Sequence, residues 1–198
     1  MNINGIDYVS PVLLGAGQPY AHREAEVLGS AVWLWMQSKS HWGYKLHNLA
    51  HLLLPAIKSG QYILASQNNQ PVFYLAWANL NEDAETRYLN RANDGLQALD
   101  WTSGDRTWMI DWIAPFGHTA KVQYAIRHRL WRSLLARSLY HRGAEKGIRV
   151  MGHFGKDVTP QAAKAHYEQH ALAPNSHSVK QTFLARHAFH PSPQTPKT

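Results

Sequence analysis

Residues 61–80 read QYILASQNNQPVFYLAWANL, in which two apolar, β-prone runs flank the polar stretch 67–70. This pattern is typical of an antiparallel hairpin, because Asn and Gln between two strand-forming runs favour a tight turn. We therefore predict strands near 61–66 and 71–79. The chain is thus expected to contain a β-sheet.

Two helices are predicted before this hairpin. Residues 24–37 have apolar side chains at helical spacing and acidic side chains in the first turn, where the helix dipole favours them. Residues 44–58 repeat leucine or isoleucine every three or four positions, and Gly60 provides a stop. Residues 1–23 are rich in Gly, Pro and Asn and predict a loose, flexible N-terminal arm.

The chain after the hairpin alternates between helical and strand patterns. Five elements are predicted, namely a helix over 82–90, a strand over 106–114, a long amphipathic helix over 119–140, a strand over 147–154 and a helix over 159–169. Thr159 suits the N-cap of the last helix and Pro160 its first position. A turn is predicted at 93–95.

This order of elements predicts an α/β fold of the mixed α+β kind, with a central mixed sheet flanked by helices. Residues 24–172 form one predicted domain, because neither a linker nor a repeat divides them. The Pro, Ser, His and Thr content of residues 173–198 predicts a disordered tail.

Composition excludes several classes of site. The 198 residues include no cysteine, which rules out disulfides, thiolate zinc sites and a cysteine nucleophile. The 13 histidines are scattered, and no metal site is predicted from them. The net charge of +7 lies in the C-terminal part, since residues 118–198 carry 13 Lys and Arg against 3 Asp and Glu. Such a field favours encounter with acidic partners.

No targeting or membrane signal is recognised in the sequence. The first thirty residues lack a basic stretch followed by an apolar run, and no segment reaches the roughly 20 apolar residues that span a bilayer. We therefore expect a soluble cytoplasmic protein without stable membrane insertion.

Residues 100–117 read DWTSGDRTWMIDWIAPFG and closely resemble the central segment of the RTX toxin-activating lysine acyltransferases, the family that includes the hemolysin and adenylate cyclase toxin activators. Three further segments resemble segments of the same family in the same order. They are LGSAVWLWMQSKSHW at 28–42, LLPAIKSGQYIL at 53–64 and PVFYLAWANL at 71–80. The basic C-terminal third is similar only loosely.

This resemblance implies a fold similar to the Gcn5-related N-acetyltransferases, often as a homodimer, and makes 24–172 an acyltransferase domain. It implies that a fatty acyl group moves from the phosphopantetheine thioester of acyl carrier protein, a co-substrate and not a tightly bound cofactor, to internal lysines of an RTX protoxin. The family's catalytic His and Asp match His41 and Asp111. The family pattern also has a basic residue after the His and an Asn eleven positions on, where this chain has Trp42 and Leu52. Asn48 and His51 are candidates to replace that amide.

The residue types suit the chemistry. A lysine ε-amine with a pKa of about 10.4 must lose a proton before it attacks a thioester, and histidine is the side chain best matched to accept it near neutral pH. His41 is therefore predicted as the general base, or alternatively as the carrier of the acyl group. Asp111 is predicted to accept a hydrogen bond from its other nitrogen. Strand alternation leaves a second interpretation, in which Asp111 shares a face of the strand with Met109 and Ile113 or faces solvent.

Three further residues are predicted to bind substrate. Ser38 matches a family serine and either lines the site or caps a helix. Arg106 either contacts the phosphate of the phosphopantetheine arm or forms a structural ion pair. Trp112, with other tryptophans, either lines an apolar channel for the acyl chain or belongs to the core.

The donor is predicted from the turn at 114–119, which reads APFGHT. One glycine and a proline suit pyrophosphate poorly, so a carrier protein is favoured over coenzyme A. The carrier's acidic surface could dock on the basic side of the predicted helix 119–140, unless that side is only solvated. That side carries Arg127, Arg129, Arg132 and Arg137.

Three alternatives remain at this point. One is an N-acyltransferase that uses acyl-coenzyme A. Another is a nucleic-acid-binding module, suggested by the isoelectric point of about 9.7. The tryptophans do not interleave with the basic residues, however, so nucleic acid is not the expected partner. The third is a toxin chaperone without catalytic activity.

Overall fold

The computed structural model describes residues 1–15, 24–90, 95–140, 147, 149–172 and, as backbone only, 180–183. These residues form one sheet of eight strands that follow one another in chain order. The strands are β1 Asn2–Ile3, β2 Ile6–Val9, β3 Tyr62–Gln67, β4 Gln70–Leu80, β5 Arg106–Ile113, β6 Leu135–Leu139, β7 Arg149–Phe154 and β8 Lys180–Phe183. Adjacent strands are antiparallel except for β5 with β6 and β7 with β8, which are parallel.

Helices cover both faces of this sheet. They are α1 Pro11–Leu14, α2 Glu24–Met36, α3 Asn48–Leu52, α4 Leu54–Ser59, α5 Glu82–Asn90, α6 Thr119–Ala125 and α7 Pro160–Gln169. A 3-10 turn spans Ala98–Trp101 and a π-helical turn spans Ile126–Leu130. Among the described helices, none has the length and apolar character that crossing a membrane requires.

The predicted hairpin is confirmed. Strand β3 pairs with β4 from Tyr62↔Ala76 to Gln67↔Gln70. Asn68 and Asn69 form the turn with φ of 51° and 61°, the left-handed values that a two-residue hairpin turn needs and that asparagine tolerates. The hairpin is buried on both faces, since alternate residues of β4 belong to two separate apolar clusters.

The two clusters place different helices on the two faces. One cluster packs α2, α4 and α5 against Tyr74, Ala76 and Ala78 of β4. The other packs α6 and the π-helical turn against Phe73 and Leu75 of the same strand. The mixed α/β class, with a central mixed sheet flanked by helices, is confirmed and is consistent with a Gcn5-related N-acetyltransferase fold.

The predicted loose arm is wrong for its described part. Strand β2 pairs with β3, and Ile6 and Tyr8 are each only 1% exposed. Their burial stabilises a segment whose Gly and Asn content concealed the alternation of two apolar side chains. Residues 16–23 lie outside the described part of the chain, and the division into arm, domain and tail stays a prediction.

The predicted helix 44–58 is in fact two short helices, α3 and α4, with Leu53 between them at φ −103°. Pro55 has no N–H to donate to the preceding turn, so the hydrogen-bond ladder cannot run through it. The predicted helices 24–37 and 82–90 are confirmed as α2 and α5. For the predicted turn at 93–95, only Gly95 lies within the described residues, with φ of 88°.

The long helix predicted over 119–140 is wrong. Helix α6 ends at Ala125, a π-helical turn follows, Trp131 leaves helical geometry at φ −136°, and β6 begins at Leu135. The helical spacing of apolar residues continues by coincidence into residues that form a strand. As a result Arg137, expected on an exposed basic side, lies in the sheet and is 3% exposed.

The elements after β6 agree better with the sequence. Strand β7 and helix α7 match the predicted 147–154 and 159–169, and the Thr159 side chain accepts a hydrogen bond from the N–H of Ala162. The predicted disorder of 173–198 is wrong at residues 180–183, whose backbone pairs with β7 as strand β8. Residues 173–179 and 184–198 lie outside the described part.

A β-bulge interrupts β5 in the middle of the sheet. Ala76 of β4 pairs with Asp111, while the next residue, Trp77, pairs with Met109, so Ile110 is an extra residue in β5. The bulge reverses the alternation beyond it, because two successive residues then face the same side. Asp111 consequently turns toward the side of the sheet covered by α2, away from the side of Met109.

Candidate active site

His41 lies in the turn that follows α2 and is 9% exposed. Its backbone N–H donates to the carbonyl of Ser38 at 2.9 Å, which closes the turn and directs the imidazole toward the sheet. There Nε2 of His41 lies 3.0 Å from Oδ1 of Asp111. The two side chains are 8% and 10% exposed, so water screens their interaction little.

Asp111 has a second partner on α2. The indole Nε1 of Trp35 donates to Oδ2 of Asp111 at 2.9 Å, so each carboxylate oxygen has its own donor. A carboxylate accepts hydrogen bonds only, and therefore the proton of a neutral His41 lies on Nε2. The lone pair of that imidazole is then on Nδ1.

Two hydroxyl groups surround Nδ1 of His41. The Oγ atoms of Ser38 and Ser40 lie 2.8 and 3.1 Å from it, and 2.9 Å from each other. Ser38 therefore contacts the predicted base directly, although it is not among the residues that line the adjacent cavity. Ser40, which sequence reasoning missed, also borders the adjacent cavity.

Aromatic rings hold the imidazole in place. Trp35 stacks on His41 with ring centroids 5.3 Å apart, and Tyr44 meets both rings edge-on at 5.1 Å. Partial burial, and secondly the charge of Asp111, raise the pKa of the Tyr44 phenol. The ring stays neutral at physiological pH and contributes apolar contact.

A cavity of about 190 Å³ adjoins this pair. It lies beside β5, whose register with parallel β6 is limited to Trp108↔Arg137 and Met109↔Ser138. Apolar side chains form much of its wall, namely Met109, Ile110, Trp112, Ile126, Leu134 and Leu139. Its polar lining residues are Ser40, His41, Tyr44, Asp111, Gln123, Arg127, Ser138 and His153.

Trp112 does line this cavity, and its ring packs edge-on against Phe73 at 4.8 Å. Of the other tryptophans considered for an acyl channel, which also included Trp33 and Trp35, three are buried in the core. Trp77, Trp101 and Trp108 are at most 1% exposed and belong to the core.

Arg106 is not among the residues that line the cavity. Its Nη1 donates to Glu85 at 2.7 Å and to the carbonyl of Ala171 at 3.1 Å, and Glu82 lies 3.4 Å from Nη2. Glu85, 1% exposed, also accepts from Arg137 at 3.0 Å and from Nε1 of Trp108 at 2.7 Å. These contacts are those of the structural ion pair considered for Arg106.

The predicted basic docking side also changes. Arg137 is buried against Glu85, and Arg132 forms a two-bond ion pair with Asp157 at 2.8 Å. A basic cluster remains without Arg137, which we define as Arg127, Arg129, Arg132 and Lys156, and Asp157 offsets one of its charges. His128 lies among these four residues. Partial burial, and secondly their positive charges, lower the pKa of its imidazole. The cluster therefore raises the local positive potential beside the cavity.

Sequence reasoning missed several lining residues. Asn48 and His51, the suggested replacements for the family amide, do not line the cavity. Ser40 could have been found from its place beside His41. Arg127 could not have been found, because it was assigned to an exposed side of a predicted helix. Ser138 and His153 could not have been found either, because they lie on strands whose register was unknown.

The mixed sheet, the cavity beside a parallel strand pair and the imidazole–carboxylate contact on its wall are consistent with the acyl-transferring enzymes built on the Gcn5-related N-acetyltransferase fold. Comparison with known proteins narrows this class. The family model HlyC, described as the RTX toxin acyltransferase family, matches residues 20–154, and the chain belongs to that family.

Individual relatives support this membership. The chain is 38% identical over 158 residues to the RTX-I toxin-activating lysine-acyltransferase ApxIC of Actinobacillus pleuropneumoniae, an alignment that covers 80% of this chain and 91% of that protein. It is 44% identical over 108 residues to the protein-lysine myristoyltransferase HlyC of Escherichia coli, covering 54% of this chain and 62% of that protein. It is also 38% identical over 145 residues to the leukotoxin-activating lysine-acyltransferase LtxC of Aggregatibacter actinomycetemcomitans, covering 73% and 85%.

Proposed function

We propose that this protein transfers a fatty acyl group from the phosphopantetheine thioester of acyl carrier protein to lysine ε-amines of an RTX protoxin. The observation that carries the proposal is the 3.0 Å contact between His41 and Asp111 on the wall of a largely apolar cavity, in a chain of the RTX toxin acyltransferase family. Relatives whose names include lysine-acyltransferase support the acceptor and the reaction.

His41 is the proposed general base. The amine must be neutral to attack the thioester carbon, and it loses a second proton as the amide forms. That proton passes to Nδ1 of His41, either directly or through the Ser40 hydroxyl, which lies 3.1 Å from Nδ1 and borders the cavity. Asp111 then stabilises the imidazolium through Nε2–H. The C–S bond breaks as the amide forms, and the thiolate takes the proton back from Nδ1 of His41, so that the carrier leaves as its thiol and His41 is neutral again.

The geometry favours a base over an acyl-histidine. Nε2 is occupied by Asp111, and Nδ1 already has two hydroxyl neighbours at 2.8 and 3.1 Å. Nucleophilic attack by Nδ1 would have to displace both hydroxyls, whereas proton transfer through Ser40 leaves both in place.

The cavity size and the basic cluster support a carrier-bound donor. At about 190 Å³ the cavity is smaller than the roughly 300–1,000 Å³ of typical ligand pockets, so it suits the reacting end of the donor better than a complete fatty chain. The basic cluster beside it suits an acidic carrier surface.

The decisive experiment incubates the purified chain and an RTX protoxin with either acyl–acyl carrier protein or the matching acyl-coenzyme A, followed by peptide mass spectrometry. We expect a fatty-acyl adduct on lysine with the carrier-bound donor and little or none with the coenzyme. Equal adduct with acyl-coenzyme A would contradict the proposed donor. Protoxin of unchanged mass with both donors would contradict acyl transfer itself.

Removing the hydroxyls around Nδ1 is expected to affect the rate non-additively. Ser38→Ala or Ser40→Ala alone should lower the acylation rate by about two- to tenfold, because the other hydroxyl still bonds to the imidazole. The double variant should lose more than the two single effects combined, as expected for groups that substitute for one another. Initial acylation rates of the four proteins give this comparison.

Ser59→Ala is the matched control, because the Ser59 hydroxyl bonds only to carbonyls of its own helix, at 2.9 and 3.2 Å. Its acylation rate should remain within about twofold of the wild type. A double variant of Ser38 and Ser40 as active as the wild type would show that neither hydroxyl assists His41.

A further inference from the structure

Arg127, Ser138 and His153 line a part of the cavity wall that the mechanism above does not use. They come from the π-helical turn, β6 and β7, whereas His41 and Asp111 come from the turn after α2 and from β5. One cation and one hydroxyl–imidazole pair thus lie in the same cavity as the proposed base.

Arg127 is the single Lys or Arg among the residues that line the cavity. Its Nε donates to the carbonyl of Phe154 at 3.0 Å, and its guanidinium lies over the Phe154 ring at 5.5 Å. These contacts fix a half-buried guanidinium. Within the described part of the chain it has no carboxylate at ion-pair distance, and its two Nη groups have no protein acceptor.

Both Nη groups of this fixed guanidinium can still donate hydrogen bonds, so Arg127 is suited to bind an anion with several oxygen atoms. Planar N–H pairs match phosphate oxygens in geometry and form hydrogen bonds about twice as strong as neutral ones.

Ser138 and His153 form the second polar feature. Oγ of Ser138 and Nε2 of His153 are 2.8 Å apart. The hydroxyl oxygen of Tyr167 accepts from the N–H of His153 at 3.1 Å and lies 2.8 Å from the carbonyl of Ala136, which anchors β7 against β6. Burial, and secondly the charge of Arg127, lower the pKa of His153 to about 4. The pair is therefore neutral at physiological pH and offers a hydrogen-bonding hydroxyl without charge.

We propose that Arg127 binds the phosphate of the donor's phosphopantetheine arm and that the Ser138 hydroxyl, held by His153, binds an amide of the same arm. The inference rests on the proposed function, which supplies the class of donor. It assigns phosphate recognition to Arg127 and not to Arg106, whose guanidinium is engaged by Glu85 and Glu82. A neutral hydroxyl suits an amide, which carries both a donor and an acceptor but no charge.

The test compares two soluble probes, S-octanoyl-4′-phosphopantetheine and S-octanoyl-pantetheine, which differ only in the phosphate. Calorimetric titration of the wild type should give a dissociation constant about tenfold lower for the phosphorylated probe. In Arg127→Met that ratio should fall to about one while binding of the unphosphorylated probe is unchanged. Since each ratio is measured on one protein, partial loss of folded material in a variant does not alter it.

Two further variants complete the test. Arg129→Met is the matched control, because Arg129 is exposed on the same turn and does not line the cavity, and its ratio should equal that of the wild type. Ser138→Ala should weaken both probes by the same factor, about two- to tenfold.

Three outcomes would overturn the inference. Arg127→Met could retain the preference for the phosphorylated probe, the wild type could bind both probes equally, or Ser138→Ala could bind both as tightly as the wild type. The first two remove the role of Arg127 and the third that of Ser138, while the proposed function stands. A fourth outcome, a wild type that binds neither probe, would overturn both roles, and mass analysis with acyl–acyl carrier protein decides the proposed function independently.

Discussion

Asp111→Asn is expected to lower the rate of lysine acylation by about 10²- to 10⁴-fold, although it preserves the size and shape of the side chain. The reason is the hydrogen bond that Asp111 accepts from Trp35, on the side of the carboxylate away from His41. Nε1–H of Trp35 requires an oxygen at 2.9 Å, so the asparagine oxygen should face Trp35 and its NH₂ should face His41. An NH₂ donor next to Nε2 forces the imidazole proton onto Nδ1. The lone pair then points away from the substrate, and the base is lost.

The measurement is the initial rate of adduct formation on the protoxin, with Asp105→Asn as the matched control. The Asp105 side chain is 82% exposed and has one long contact, 3.4 Å to His170, so its substitution should leave the rate within about twofold. His41→Ala combined with Asp111→Asn should be no slower than His41→Ala alone, because residues that act as one unit are not additive. An Asp111→Asn enzyme with the wild-type rate would remove Asp111 from the proposed mechanism.

Glu85→Gln is expected to lower the free energy of unfolding by about 3–5 kcal/mol, the largest stability effect that we predict. Glu85 is 1% exposed, and its carboxylate bonds to Arg106, Arg137 and Trp108 at 2.7 to 3.0 Å. The NH₂ group of the glutamine would point a hydrogen-bond donor at Arg106 or Arg137, which are themselves donors. Arg137, whose side chain is 4% exposed, would also lose its negative partner without gaining water. For a chain of this length the melting temperature should fall by roughly 6–20 °C.

Glu82→Gln is the control for this substitution, since Glu82 lies on the same helix and contacts the same Arg106. Its side chain is 67% exposed and the contact is 3.4 Å, so the expected loss is about 0–1 kcal/mol. Urea unfolding of the two variants gives the comparison. Equal transition midpoints for the two would mean that the buried Glu85 contacts do not stabilise the fold.

The elements that could be predicted from sequence are those whose pattern is local. The hairpin 61–80 follows from two apolar runs and an Asn–Asn turn, and α7 follows from its Thr159 and Pro160 start. The failures have a common cause. In 119–140 the helical spacing of apolar residues continued into a strand, and only the pairing of β6 with β5 and β7 distinguishes the two structures.

The sequence by itself determined the family, the mixed α/β class, and the candidate pair His41 and Asp111, because these depend on residue identity at matched positions. Tertiary structure decided which side of the sheet Asp111 faces. Regular alternation would have placed it with Met109, but the extra residue Ile110 turns it toward Trp35 and His41. Tertiary structure also buried Arg137 and brought Arg127 to the cavity. Contacts between residues distant in the chain depend on strand register, which local pattern does not encode.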